Sequence, residues 1–529
     1  MKNLITLFAL LLGAFTVFSQ DPAIIWQNTI GGDSADFLIT MEPTADGGHI
    51  LGGHSFSDAS GDKTEDNTGP IAIWIVKIDD SGTIQWQNTI GGDEEDYVNV
   101  VKQTTDGGYI VLGGSNSGIS GDKTEDSRGG LDFWILKLDG SGTIVWQHTY
   151  GGAQNDFETY GQQTSDGGYI VGGYSDSDVS GDKTAPSNGG RDYWVLKLDS
   201  TGNITWQKTF GGSLVDRVGA TLQTADGGYI LGGFSDSPVS GNKTENSQGS
   251  LDFWIVKLDS TGNITWQNTI GGSNFDVLRD LIQTSDGGYI AAGYSSSDTS
   301  GDKTEDSRGD VDYWIVKLDA TGNITWQKTF GGQFEDSLRD VKQLANGSYV
   351  VAGFSSSGIS GDKTENRIGG YDYWLLRLNT SGNLVSQNTI GGNLDESDTY
   401  ISPTSDGNFV MASTSSSDIS GDKGENSEGA NDYWVFKTTS AILGVPLTDF
   451  GPALAVYPNP TSGAFTIDLG ESVEEINTTI TNILGQVVAS EIFENTKILE
   501  FTMEDAAGIY FVKVSTPDGL SETIKVVKE

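Results

Sequence analysis

The chain has 529 residues, 73 acidic against 30 basic, for a formal net charge of −43. That balance repels nucleic acid and anionic membrane surfaces, so neither is expected as a partner. The absence of cysteine excludes disulfides, thiolate metal sites, a cysteine nucleophile and a lipidated amino terminus. Hydrophobic residues make up 36% and aromatics 10%, enough for a large core, and 73 glycines, about twice the usual ~7% share, point to many tight turns between short strands.

In chain order, Met-Lys-Asn, an apolar run from Leu4 to Phe18 and a small Ser19 predict a signal peptide over residues 1–19, cut before Gln20. The run is short for a membrane span, and no later stretch is long enough, so the mature chain is expected to have none.

Residues 20–440 repeat with a period of 60. The string W-Q-x-T-x-G-G places Trp at 26, 86, 146, 206, 266 and 326, with Ser386 in the seventh copy. A second string, x-D-[YF]-W, places Trp at 74, 134, 194, 254, 314, 374 and 434, with Ala72-Ile73 opening the first copy. A third, T-x-D-G-G-[YH]-I, recurs around Asp46, Asp106, Asp166, Asp226 and Asp286 and persists in weaker form at Asn346 and Asp406. Each period holds four strand-like runs, for example Arg217 to Thr224, Gly228 to Phe234, Leu251 to Leu258 and Asn263 to Ile270. Asp-Gly-Gly and Asp-Ser-Thr-Gly-Asn between them supply the positive-φ positions of tight hairpins.

Four strands in each of seven units predict an all-β fold, a seven-bladed β-propeller. A β-solenoid is the alternative, but its coils usually run about 20–30 residues and need capping repeats. The array instead starts on a fourth strand, Ile24-Ile25-Trp26-Gln27, and stops on a third, Tyr433-Trp434-Val435-Phe436. The N-terminal strand is therefore expected to close the last blade and remove free edges. The stretch I-V-K-L-D-S-T-G-N-I-T-W ending at Trp266 resembles the tryptophan motif of quinoprotein-type propellers, one residue off between Asp259 and Gly262. That resemblance implies the architecture and no bound quinone.

Loops after second and fourth strands should share one face. They carry G-G-x-x-x-D, with Asp36, Asp96, Asp156, Asp216, Asp276, Asp336 and Glu396, and S-G-D-K-T-E, with Asp62, Asp122, Asp182, Asp302, Asp362 and Asp422. Asn242 stands in the fourth copy, and four copies add Asp58, Asp178, Asp298 and Asp418 upstream. Alternating acids and carbonyls around glycine suit calcium, so Asp58 with Asp62, Asp178 with Asp182, Asp298 with Asp302 and Asp418 with Asp422 are candidate calcium loops. The opposing reading is that these acids cap turns and bond their own backbone, since no copy has a full EF-hand-like ligand series. No other cofactor is implied. The Trp residues are expected to pack between blades rather than stack on sugars, and the Asp opening each third strand from Asp132 to Asp432 to tie a loop down.

Catalysis in a repeat should appear as a departure from the pattern. His49, His54 and His148 make no metal-ligand spacing, and no G-x-S-x-G, P-loop or H-E-x-x-H occurs. The most irregular strand is the first, expected to line a central channel, with Arg217, Arg279, Asp280, Arg339 and Asp340. These could bind an anion or a sugar there or salt-bridge one another.

Residues 441–453 read as a linker, and from 454 to 529 the composition changes. Tyr457-Pro458-Asn459-Pro460 is followed by Gly463 and Phe465, then by Asn482-Ile483-Leu484-Gly485-Gln486, then by Ala507-Gly508-Ile509-Tyr510, and the chain ends with Lys525 and Lys528 near its last residue. This ordered set resembles the type A C-terminal sorting domain of the type IX secretion system. The resemblance implies a small Ig-like β-sandwich, a Bacteroidota host, recognition by the type IX machinery, and passage through the periplasm to the outer-membrane surface or the medium. The expected function is that of a secreted or surface-attached binding or scaffold protein whose long-loop face meets a glycan or protein ligand. An extracellular polysaccharide-active or quinone-dependent propeller enzyme is the alternative, and a purely structural surface coat a third reading.

Overall fold

The computed structural model describes residues 23–439, 455–483, 486–503, 506–516 and 521–529. The expected signal peptide, the linker and Gly485 lie outside them. The chain divides into two compact units, Met1–Gly444 and Val445–Glu529.

The first unit is all-β, a β-propeller array of antiparallel four-stranded sheets, seven among the described residues. In the fourth sheet the strands are Asp216–Gln223, Tyr229–Ser235, Asp252–Leu258 and Ile264–Ile270, paired in chain order. The last sheet is completed from the other end of the chain. Ile24–Ile30 pairs with Asp432–Thr438 and supplies its fourth strand. Gln27 of that strand plays the part that Gln87, Gln147 and their equivalents play elsewhere: its Oε1 accepts the indole N–H of Trp434 at 3.0 Å.

Third strands are buried along their length, Arg377 alone being partly exposed, and all seven of their Trp side chains have no exposed surface. Each sheet presents two apolar faces, so its middle strands do not alternate. The core is therefore divided into clusters between neighbouring sheets. Trp254 of the fourth sheet packs on Tyr193 of the third, ring centroids 4.7 Å apart, and the Tyr193 hydroxyl donates to Trp254 O at 3.1 Å. The last and first sheets share such a cluster too: Val410, Ala412 and Tyr433 pack with Leu38, Leu51 and Trp74.

First strands of successive sheets lie side by side, and Glu396–Pro403 lies beside Asp36–Pro43. Every first strand carries a bulge against its second, such as that between Leu278 and Asp280. The turns follow their sequence. In Thr-x-Asp-Gly-Gly, the Thr44 hydroxyl and the Gly48 N–H both donate to Asp46, whose carboxylate also holds the buried Lys77 at 2.9 Å. Gly47 at φ 88° occupies the left-handed position that this turn requires.

The second unit is one five-stranded sheet. Ala464–Asn482 pairs with Val487–Thr502 along most of its length and with Gly508–Ser515 near its end. The sheet encloses a core that includes Phe465, Ile467, Ile480, Leu499, Phe501, Tyr510 and Val526.

Candidate functional site

The long loops and the fourth-to-first connections do share one face of the first unit. Asp62 N–H donates to Gly31 O at 2.8 Å, and Ser60 Oγ accepts from Asp33 N–H at 2.9 Å. The chemistry of that face differs from the sequence expectation in one respect. The G-G-x-x-x-D acids do not add to its surface charge. Asp36 through Asp336 and Glu396 are fully buried, each holding the backbone of its own connection, as Asp96 accepts from Gly92 N–H at 2.6 Å. Third-strand acids are buried beside them. Asp312 receives the backbone N–H of Arg308, and Asp192 that of Asn188 at 2.5 Å, so these acids do tie the long loops down. Burial pushes the Asp132 carboxyl up to about 7 and those of Asp192, Asp252, Asp312 and Asp432 up to about 6.

Inside the long loops the S-G-D-K-T-E lysine is buried and held by oxygens of the loop. Lys123 is buried, and its ammonium donates to Ser117 O, Glu125 O and Ser127 Oγ at 3.0 Å each. Burial lowers the lysine pKa values, that of Lys363 to about 8. The acids of the candidate calcium loops turn elsewhere. Asp58 accepts from Asn67 N–H at 3.2 Å and Asp178 from Ser187 N–H at 3.3 Å. The Asp182 carboxylate meets Arg128 Nε of the preceding sheet's loop at 3.1 Å, and Asp302 meets Gln248 Nε2 in the same way. Asp422 accepts from Gly391 N–H at 3.1 Å, while the Asp298 and Asp418 carbonyls cap Ser300 and Ser420. Burial raises the Asp62 and Asp182 carboxyls. Among the described residues no three His, Cys, Asp or Glu side chains come together to hold a metal.

These contacts explain a departure that sequence left open. Four loops clasp the next, three of them through Arg128 to Asp182, Gln248 to Asp302 and Arg308 to Asp362 at 3.0 Å. Where the donor is Asn188, the acceptor is Asn242, amide to amide at 3.0 Å. Nothing in the structure explains the alternation of Asp58, Asp178, Asp298 and Asp418 with Gly118, Pro238 and Gly358.

On this braced face stands a feature that sequence reasoning missed. Ile119, Val179, Val239, Ile359 and Ile419 occupy one repeat position and are 56–64% exposed. The backbone of four of them is pinned, as Val239 N–H donates to Asn246 Oδ1 at 2.8 Å; Pro186 stands where Val179 would find its acceptor. Leu214, Phe334 and Leu394, on the adjoining connections, are also exposed. The signal was available as aliphatic residues inside an otherwise polar loop.

First strands lie side by side, the first beside the last, and near their short-turn ends is a cavity of about 730 Å³ lined by residues including Glu42, Pro43, Ile282, Lys342 and Ser402. Salt bridges form among the irregular residues: Arg217 with Glu158, Lys342 with Asp340, Lys102 with Glu42 at 3.2 Å, and Arg339 with Asp398 at 3.3 Å. Asp280 and Asp340 accept the N–H groups of Val341 and Ile401 in the following sheets at 3.0 and 2.9 Å. Arg279 joins no salt bridge among the described residues; its hydrogen-bond partner is the Tyr294 hydroxyl at 3.0 Å. The histidines are dispersed. Burial lowers His49 and His54 to about 4, and His148 meets Glu125 at 3.0 Å.

In the second unit the separated motifs meet. Asn459 donates to Lys525 O at 2.8 Å and accepts from Val527 N–H at 2.9 Å, joining Tyr457-Pro458-Asn459-Pro460 to the last strand. Gly463 O accepts from Met503 N–H, and Lys528 Nζ donates to Met503 O at 2.8 Å. Tyr510 is buried with its hydroxyl on Ala506 O at 2.6 Å, while Tyr457 is half-exposed and Gly508 opens its strand.

Residues 455–529 match the family described as a secretion system C-terminal sorting domain. The tail is thus the type IX sorting domain its motifs resemble, and the protein is one that this system carries through the periplasm to the cell surface or the medium. Over 190 residues the chain is 26% identical to the regulatory protein FlaEY of Caulobacter vibrioides, matching 34% of this chain and 20% of that protein, so it spans about a fifth of that relative's length. Among solved structures, puromycin hydrolase is similar with a TM-score of 0.44 and 12% identity over 85% of this chain and 62% of that one. The Pan2 WD40 domain of Neurospora crassa gives 0.42 and 11% over 80% and 98%, and a Dyadobacter fermentans protein of unknown function 0.39 and 11% over 79% and 99%. Likeness of this degree says nothing of this chain's role.

Proposed function

We propose that the seven sheets form one closed seven-bladed β-propeller, followed by an Ig-like sorting sandwich, and that the exported protein is a binding or scaffold protein of the Bacteroidota surface. Its partner meets the long-loop face. The observation that carries this reading is the set of exposed side chains Ile119, Val179, Val239, Ile359 and Ile419, four of them on backbone pinned by a hydrogen bond within the loop. Exposed aliphatic side chains repeated on one face offer a partner apolar surface, and pinned loops lose little entropy on binding. Aliphatic side chains at five of the seven copies favour a protein partner over a glycan.

The test is a binding screen of the exported full chain against surface proteins and glycans, with and without calcium. Ile119→Ser, Ile359→Ser and Ile419→Ser together should weaken capture about tenfold or more, because each buried aliphatic contributes about 1.5–3 kcal/mol. The melting temperature should stay unchanged. Undiminished binding by the triple variant would move the partner off this face.

A further inference from the structure

Where seven first strands meet, the repeat stops repeating. The bulge position holds Ile39, Asn99, Gly219, Arg279 and Arg339 in five sheets, and in the third and seventh it starts with Glu158 and Asp398. A bulge re-aims a side chain and is common beside functional sites. Glu158 and Asp398 also adopt left-handed backbone, at φ 55° and 49°, which is costly for a residue with a Cβ and persists only where its surroundings hold it.

These two acids neutralise two of three neighbouring arginines, Glu158 facing Arg217 and Asp398 facing Arg339. Arg279, in the sheet between those of Arg217 and Arg339, has no such partner. Its neighbour Asp280 is turned to the next sheet and engaged there with Val341 N–H. The Nε–H groups of Arg279 and Arg339 are buried without an acceptor. Each guanidinium lies 5.3 Å from an aromatic ring, Arg279 over Tyr294 and Arg339 over Phe354. Of these three guanidinium groups, Arg279 alone has no salt bridge among the described residues, inside a chain of net charge −43.

We propose that Arg279, with Arg339 beside it, forms an anion site in the channel that takes the carboxylate of a small acidic ligand such as a uronic acid. A planar guanidinium fork matches a carboxylate in two parallel hydrogen bonds, and such charge-assisted bonds are the strong ones. The ligand carboxylate supplies the salt-bridge partner that Arg279 lacks. The site is independent of the long-loop ring, and either can fail without the other.

Calorimetry and thermal melting of the full chain test this with sodium glucuronate, sodium acetate, glucose and sodium sulfate, at ionic strength fixed with sodium chloride. Glucuronate should bind and raise the melting temperature, and glucose should do neither. Arg279→Asn should weaken glucuronate binding about tenfold or more. Asn99 already stands at this position in the second sheet, so the fold accepts that side chain. Arg279→Lys, which keeps the charge and loses the fork, should fall between. Acetate matching glucuronate would assign the site to a free carboxylate with no contribution from the sugar, and so uphold it. Sulfate matching glucuronate, no carboxylate binding at all, or undiminished binding by Arg279→Asn would each overturn the proposal.

Discussion

The third and first strands of a sheet come from the same repeat and meet opposite fates. Asp252–Leu258 and its six equivalents are buried but for Arg377 and nearly identical, because each meets the same two neighbouring sheets. Asp216–Gln223 and its equivalents meet one another around an axis. Seven copies of one large or charged side chain would there collide or repel, so identity has to give way. Repetition marks where the molecule holds together, and departure from it marks where a single site can form.

The largest effect that would break this contrast is on the third strand. Trp254→Ala removes a fully buried indole packed on Tyr193 and should cost about 3–5 kcal/mol, read as a large fall in melting temperature. A loss under about 1 kcal/mol would mean that the interior yields there and that third strands are not the frame.

A second effect, smaller and tied to pH, sits at the start of the same strands. Unfolded, Asp132, Asp192, Asp252, Asp312 and Asp432 should titrate near the ordinary value of about 3.9. Folded, burial raises them to about 6–7. The folded state then binds more protons, so their contribution is full below about pH 4 and is lost as pH rises to about 7. Asp46, Asp106, Asp166, Asp226 and Asp286 act oppositely. Their hydrogen bonds from threonine and lysine outweigh burial and hold them at about 2, so their contribution is lost as pH falls below about 4. The melting temperature should peak near pH 4–5 and decline toward 7, and Asp132→Asn should flatten that decline. A melting temperature that rises from pH 5 to 7 would contradict the burial of these acids.

The smallest effect belongs to the first strand. Arg279→Asn should alter stability by less than about 1 kcal/mol, since no carboxylate is left unpaired by it.

Much of the frame was legible in the sequence because it repeats. The 60-residue register, the four runs per unit and the phase of the array followed from Trp positions and turn residues alone, and spaced motifs marked the tail. Residue type misled at the G-G-x-x-x-D acids, since an acid in a Gly-rich connection reads as exposed, yet Asp96 is buried to hold Gly92. Lys123 hid its role similarly, as an ammonium taking loop carbonyls is not separable by spacing from a partner of the adjacent Asp122. The channel site was half legible. Its arginines stood out, but the bulge is one extra residue in a strand pair, and the pairing of Arg217 with Glu158 joins positions in different sheets. Only the pairing shows that Arg279 was left over.

A single closed ring is tested most directly by removing the strand shared between the chain's two ends. Ile24–Ile30 forms a ladder with Asp432–Thr438, and Gln27 bonds both Trp434 and the long-loop backbone at Gly424. Deletion of residues 20–32 should leave the last sheet with an open edge, lose ladder bonds and buried Ile30, and cost several kcal/mol, on the order of 3 or more. The melting temperature of the exported chain should fall steeply, and a synthetic peptide of residues 20–32 added back should restore part of it. An unchanged melting temperature would contradict closure.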